Sequence, residues 1–170
     1  MFNLVLINGC GGAGKDTAGR LLLKALRHCA LLDIKTLSQT NPWSFDEYHL
    51  GLKNAATVIK NYFEFGFPTV IFTGGLSSQD RLIFFQSLLP PSSRLFYVWL
   101  DVPKQIRDPR RISRSRDEAD QHQCLDQVDS VFTDPGTLTI VGGKYLRIDA
   151  ERLSPADVVA RIQTELNSDG

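Results

Sequence analysis

Gly9-Cys10-Gly11-Gly12-Ala13-Gly14-Lys15-Asp16-Thr17 decides how this chain is read. The apolar run Phe2 to Ile7 before it has the character of a buried strand, and Ala18 to His28 after it carries apolar residues at helical spacing. Strand, glycine-rich loop and helix, with G-x-x-x-x-G-K across the loop, is the setting of a phosphate-binding loop. Gly9, Gly11, Gly12, Ala13 and Gly14 let the backbone wrap closely, so that successive N–H groups point inward at phosphate oxygens. The positive end of the following helix adds to that pull, and Lys15 reaches the terminal phosphates as a point charge. These residues, with Asp16 and Thr17, form the expected binding site for ATP.

Asp16 stands where a hydroxyl residue is usual, and the hydroxyl arrives one place later as Thr17. A carboxylate is a harder Mg²⁺ ligand than a hydroxyl but lies close to anionic phosphate, a repulsion that metal between them resolves. Asp16 and Thr17 are therefore the candidate Mg²⁺ ligands.

Moving outward, 170 residues fit one domain with a substantial core, expected to span 1–170. Lys+Arg and Asp+Glu are equal at 19 each, so charge gives no argument for nucleic acid. No apolar stretch is long enough to span a membrane and no basic leader opens the chain, so no membrane role and a cytoplasmic location are expected. Cys10, Cys29 and Cys124 are widely spaced and read as free thiols in a reducing compartment. His28, His49 and His122 lack the spacing of a zinc site.

Cys29 to Leu32 forms a short second strand ending at Asp33, and Ile34 to Pro42 is irregular. Ser44-Phe45-Asp46-Glu47 has capping-box spacing before a long helix to about Phe65, with Leu52, Ala55, Ala56, Ile59, Tyr62 and Phe63 as its apolar stripe. Val70 to Phe72 is a third strand running into Thr73-Gly74-Gly75, Ser77 to Leu89 a helix, and Leu95 to Leu100 a fourth strand ended by Asp101. Asp108-Pro109 reads as a helix start, a further helix is expected from about Ala119 to Phe132, and Tyr145 to Ile148 is a fifth strand. Ser154-Pro155 opens the last helix. Strands apolar throughout and alternating with helices give an α/β fold, a parallel sheet covered on both faces. Sites in such folds lie beyond the carboxyl ends of the strands, which sets the loop, Asp33, Thr73-Gly74-Gly75 and Asp101 on one rim.

The chain resembles the small P-loop kinases: shikimate and gluconate kinases, nucleoside monophosphate kinases and chloramphenicol phosphotransferase. Gly11 to Leu22 is similar to the loop and helix start of shikimate kinases, Val70 to Gly75 to their third strand, and Tyr145 to Ala150 with Ser154-Pro155 to the closing elements of thymidylate-type kinases. The resemblance implies a P-loop NTPase-type three-layer α/β/α fold with a five-stranded parallel sheet. It also implies an acceptor-binding region at about 34–65 and an arginine-rich lid at about 107–120. Asp33 is then the residue that binds or deprotonates the acceptor hydroxyl, with Gly74, Gly75 and Arg81 on the acceptor side. The alternatives are a turn cap for Asp33 and a helix surface for Arg81. Asp101 is a candidate for the metal shell or a strand-end cap. Trp43, Phe45, Tyr48 and His49 fall where the acceptor lobe or its core packing would lie.

Arg107, Arg110, Arg111, Arg114 and Arg116 fill the lid segment. On a helix begun at Asp108-Pro109, Arg110 and Arg114 share one face and Arg107 and Arg111 another. With Lys15 and Asp33, Arg110 and Arg114 complete the expected catalytic set. The departures from the family are Asp33-Ile34-Lys35, where shikimate kinases have D-x-D, and Thr73, where nucleoside monophosphate kinases tend to have a carboxylate. The expected function is an ATP-dependent phosphotransferase acting on a small hydroxyl-bearing metabolite or drug-like acceptor. The alternatives are a nucleoside or deoxynucleoside monophosphate kinase and a non-catalytic nucleotide-binding module.

Overall fold

The computed structural model describes residues 2–37, 48–74, 76, 78–113 and 138–168. Five parallel strands form one sheet: β1 (Phe2–Asn8), β2 (Cys29–Asp33), β3 (Thr69–Thr73), β4 (Ser93–Asp101) and β5 (Lys144–Asp149), in the order β2-β3-β1-β4-β5. β1 is central, flanked by β3 and β4; the connection from β1 leads out to β2 on one side, and the connection from β3 crosses back over β1 to β4 on the other. This is the geometry that opens a crevice at the strands' carboxyl ends.

Alternate residues along each strand feed two separate cores, as the pleat requires. Leu4, Leu6, Val70, Phe72, Leu95 and Tyr97 meet α2 (Tyr48–Glu64) and α3 (Gln79–Leu88) through Leu52, Ala55, Ile59, Phe63, Leu82 and Phe85. Val5, Ile7, Ile71, Phe96, Val98 and Leu100 face the other way, against Ala18 and Leu22 of α1 (Lys15–Ala25) and Val158, Val159 and Ile162 of α5 (Pro155–Asn167). The result is the expected three-layer α/β/α sandwich. Burial on both faces explains why β1 and β4 read as continuous apolar runs. The apolar stripe expected for the long helix is also the buried one, with Tyr62 at its edge.

α1 lies unusually close to the sheet. A Cβ on Gly19 would sit 2.7 Å from Thr73 Cγ2 and 3.1 Å from Leu31 Cδ1, so the helix crosses β3 and β2 at a distance only glycine permits. α5 opens with a reciprocal cap: Ser154 Oγ accepts the Asp157 N–H at 3.2 Å while the Asp157 carboxylate accepts the Ser154 N–H at 3.2 Å.

Two helix boundaries differ from the sequence reading. α1 starts at Lys15 and ends at Ala25, with Leu26 extended and His28 at φ +53°. Arg27 and His28, expected within the helix, therefore lie beyond its end. The second difference is α4 (Lys104–Ile112), which holds Pro109 inside rather than at its start. The turn after β4 supplies an earlier start, because the Pro103 carbonyl accepts the N–H groups of both Ile106 and Arg107. Pro109 takes one N–H out of the helix, at a cost of about 3 kcal/mol in an uncompensated interior. Here it sits near the helix end on an exposed side, with Gln105 also exposed, and Ser113 N–H still bonds the Pro109 carbonyl.

Among the described residues, no helix is long and apolar enough to cross a membrane. Among the described residues neither Cys10 nor Cys29 forms a disulfide. The helix expected at 119–132 and the residues Trp43 and Phe45 lie outside the described residues.

Candidate active site

The loop leaves the sheet at Asn8, a fully buried polar residue at the end of an apolar strand. Asn8 Oδ1 accepts the Gly9 N–H at 2.8 Å, while Nδ2 donates to the Leu76 carbonyl and to Tyr97 Oη. Tyr97 in turn donates to the same Leu76 carbonyl at 2.7 Å. One buried amide thus pins the loop's first residue to the segment after β3 and to β4, and every group in the network has a partner. Only the lone polar side chain before Gly9 hinted at it in the sequence.

Beyond Asn8 the backbone turns tightly, with Ala13 N–H bonding the Cys10 carbonyl at 3.2 Å and Gly14 capping α1 in the left-handed conformation. Gly12 has φ +82°, and a Cβ there would lie 2.7 Å from the Arg107 carbonyl, which excludes any side chain. α4 packs directly on this part of the loop. Arg107, 6% exposed, donates from Nε to the Val102 carbonyl at 2.8 Å and from Nη1 to the Gly11 carbonyl at 3.2 Å. Arg111 lies over Gly11, where a Cβ would come within 2.9 Å of its Nε, and its Nη1 is 3.5 Å from Asp108 Oδ1. Arg107 and Arg111 do share a face, and that face is buried on the loop.

Lys15 is half-buried, and its ammonium folds back into the loop to donate to the carbonyls of Gly9 at 2.7 Å and Cys10 at 3.1 Å. Burial, and then the positive charge of Lys35, lower its pKa from 10.5 to about 8, against a smaller upward pull from Asp16, Cys10 and Asp33. Asp16 and Thr17 follow in the first turn of α1. Asp16 Oδ2 lies 2.9 Å from Lys35 Nζ.

Asp33 ends β2 in register with Thr73, which is in register with Ile7 on its other side. β3 therefore separates Asp33 from the loop strand, although both ends share the rim. Its Oδ1 accepts the Lys35 N–H at 3.0 Å, capping the 3₁₀ turn Ile34–Thr36. Thr73 is buried, and Gly74 bonds the Ile7 carbonyl through its N–H at 3.3 Å, so the segment after β3 hugs the base of the loop. Arg81 is half-buried in the first turn of α3. Gly75 and Arg114 lie outside the described residues. His49 packs edge-on against Phe84 at 4.8 Å. Asp101 pairs with Arg147 on the neighbouring strand, the carboxylate accepting from Nε at 3.1 Å.

On the other side of the loop a cleft of about 370 Å³ runs from Gly12, Ala13, Gly14 and Thr17 to Leu100, Ala150, Leu153, Pro155 and Val158, with Arg110 on its edge. It is mostly apolar and ends at the N–H groups that open α1. A glycine loop between a central parallel strand and a helix, beside such a cleft, defines a P-loop nucleotide-binding fold.

No protein-family model matches the chain, and neither does any curated protein sequence. Solved structures do match. A sugar kinase from Janibacter sp. is 15% identical with a TM-score of 0.77, covering 98% of this chain and 95% of that one. A shikimate kinase from Acinetobacter baumannii, in complex with shikimate, is 21% identical with a TM-score of 0.63 over 99% and 95%. A Chaetomium thermophilum protein in complex with ADP-AlF3 is 14% identical with a TM-score of 0.61 over 95% and 97%. The chain has the fold of the small P-loop kinases, along its whole length.

Among the described residues no cluster of three or more acidic, histidine or cysteine side chains exists to cage a metal. Mg²⁺ does not require one, since it is commonly held by one or two protein oxygens with substrate phosphates and water. Asp16 already attracts a cation, the Lys35 ammonium, at 2.9 Å, and Thr17 follows it in the first turn of α1; a carboxylate and a hydroxyl are hard oxygen donors of the kind that fit Mg²⁺.

Proposed function

We propose that the chain is an ATP- and Mg²⁺-dependent phosphotransferase that acts on a small hydroxyl-bearing acceptor. The observation that carries this reading is the continuity of the Lys15 loop with the apolar cleft. The loop offers N–H groups and an ammonium to phosphates, and the cleft offers the apolar surface of Leu153 and Pro155 to a flat base. Asp33 ends β2 on the same rim, with β3 between it and the loop strand, and its charge is felt at Lys15.

Phosphoryl transfer depends on positioning and charge stabilisation more than on covalent help. The loop amides from Gly9 to Gly14 and Lys15, released from the Gly9 and Cys10 carbonyls, hold the terminal phosphates. Asp16 and Thr17 supply protein oxygens to Mg²⁺, which when bound neutralises phosphate charge. Asp33 keeps one oxygen on the Lys35 N–H and takes the acceptor hydroxyl proton on the other. The acceptor oxygen then bonds the γ-phosphorus as the bond to the ADP oxygen breaks. Arg110, with Arg114, balances the charge that spreads over the transferring group. Gly74, Gly75 and Arg81 border the acceptor.

The engagement of Asp33 in its turn and of Asp16 with Lys35 favours one second reading, a nucleotide-binding module without turnover. Calorimetric titration of ADP and ATP, followed by ADP release in the presence of a panel of sugars, polyols and cyclic alcohols, separates the two. Nucleotide binding with acceptor-stimulated release is expected. Binding without stimulation by any acceptor supports the module, and no binding refutes both.

A further inference from the structure

Lys35 stands out among the groups around the loop because three separate contacts fix its backbone. Its N–H is held by Asp33 Oδ1 at 3.0 Å, Thr36 Oγ1 donates to the Asp33 carbonyl at 2.8 Å, and the turn closes through Leu37 N–H to the Ile34 carbonyl at 3.0 Å. Ile34 is buried beneath Gly74, and Asn54 of α2 donates to the Leu37 carbonyl at 2.9 Å. From this rigid root the side chain crosses to Asp16, nineteen residues away in sequence, at the N-terminus of α1.

Ordinarily a lysine–aspartate pair 65% and 35% exposed is a surface contact of little energetic weight. The position of this pair makes it more than that. Asp16 directly follows Lys15, and at 2.9 Å from Asp16 Oδ2 the Lys35 ammonium stands at the first turn of α1, which Lys15 opens. Two ammonium groups therefore converge on the mouth of the phosphate loop, from opposite elements, with carboxylates beside each. Bringing like charges together costs energy unless anions complete the site. In the nucleotide-free protein Asp16 is one such anion for Lys35. A γ-phosphate entering the loop brings more negative charge to the same place and competes for Lys35.

From this we infer that Lys35 is a second phosphate-binding cation of the site, held on Asp16 while the loop is empty and transferred to the terminal phosphoryl group when a triphosphate binds. The exchange frees the Asp16 carboxylate at the moment a metal–nucleotide complex arrives. Because the pair is exposed and weak, releasing it opposes binding very little. Lys35 then contacts the group that distinguishes ATP from ADP, so it sets the preference for triphosphate. This assignment rests on the phosphotransferase reading above.

The test is calorimetric binding of ADP and of the β,γ-imido analogue of ATP to the parent protein, Lys35→Met and Lys35→Arg, with and without Mg²⁺. Lys35→Met is expected to weaken the triphosphate analogue by about tenfold or more while moving ADP by less than about threefold, the signature of a charge-assisted contact to the terminal group alone. Lys35→Arg, which keeps the charge, is expected to restore most of the difference. Without Mg²⁺ the loss should be larger, since no metal shares the charge. If Lys35→Met weakens both nucleotides equally, or neither, the assignment of Lys35 falls while the nucleotide site stands. A parent protein that binds neither nucleotide overturns the phosphotransferase reading, and this inference with it. Circular dichroism of Lys35→Met should match the parent, because the side chain is exposed and the turn is held by backbone and Asp33 contacts.

Discussion

Replacing Lys15 with methionine keeps the length of the side chain and removes its charge, and the structure fixes how the effect should change with pH. The Lys15 pKa is about 8 in the folded chain against 10.5 when solvated. Between those values the unfolded chain binds the extra proton, so stability rises with pH and the penalty of the enclosed ammonium is fully present only below about pH 8. At about 1.4 kcal/mol per pKa unit, the change between pH 7 and pH 10 is at most about 2.5 kcal/mol. Water reaches a half-buried residue, which brings the figure to about 1–2 kcal/mol. Lys15→Met has nothing to titrate. Its stability relative to the parent should therefore fall by about that amount between pH 7 and pH 10, whatever its absolute value at either pH. Urea titrations of both proteins at the two pH values give the double difference, in which all other titrating groups cancel. A difference independent of pH, or one that grows in favour of Lys15→Met at pH 10, would falsify the enclosed-ammonium geometry.

Further outcomes follow from the same site. ADP binding should raise the Lys15 pKa, so calorimetry in buffers of different ionisation enthalpy should detect uptake of about 0.7 proton at pH 8.5 and about a quarter of a proton at pH 7.5; no uptake at either pH would mean that phosphate does not meet Lys15. Asp33→Asn should lower acceptor-dependent turnover by about 10²–10⁴-fold with little change in ATP affinity, and near-normal turnover would leave Asp33 a turn cap only. Asp16→Asn should raise the Mg²⁺ concentration needed for half-maximal activity far more than it changes metal-free nucleotide binding, and an unaltered Mg²⁺ dependence would leave Thr17 as the protein ligand. Asn8→Ala leaves the buried Gly9 N–H without its acceptor and a cavity beside Tyr97, so it should destabilise the fold by about 2–3 kcal/mol; a loss below about 0.5 kcal/mol in urea unfolding would show the network to be dispensable.

The glycine-rich loop was legible because phosphate binding, the role proposed for it, dictates residue types at fixed spacing, and the sheet because strands buried on both faces leave little room for polar residues. The stripe from Leu52 to Phe63 was legible through periodicity, whereas the close approach of α1 to the sheet at Gly19 was not. Strand neighbours were not: β3 inserts between β1 and β2, which places Asp33 one strand further from the loop than chain order suggests. Pro109 misplaced the start of α4, since a proline after Asp108 has the local pattern of a helix start, whereas Pro103 and the end of β4 supply the actual one. Arg107 belongs to the arginine cluster in sequence, yet it sits buried on the Gly11 carbonyl while Arg110 lines the cleft. The Asn8–Tyr97–Leu76 network and the Lys35–Asp16 pair join residues far apart in the chain, and no local pattern encodes such contacts.

Incubation with Mg²⁺ and ATP labelled at the γ-phosphate, across a panel of sugars, polyols and cyclic alcohols, tests the phosphotransferase reading most directly. The label is expected to appear on at least one hydroxyl acceptor, with stoichiometric ADP, and to be lost in both Lys15→Met and Asp33→Asn. Tight ATP binding with no label on any acceptor and no stimulation of ADP release would contradict it.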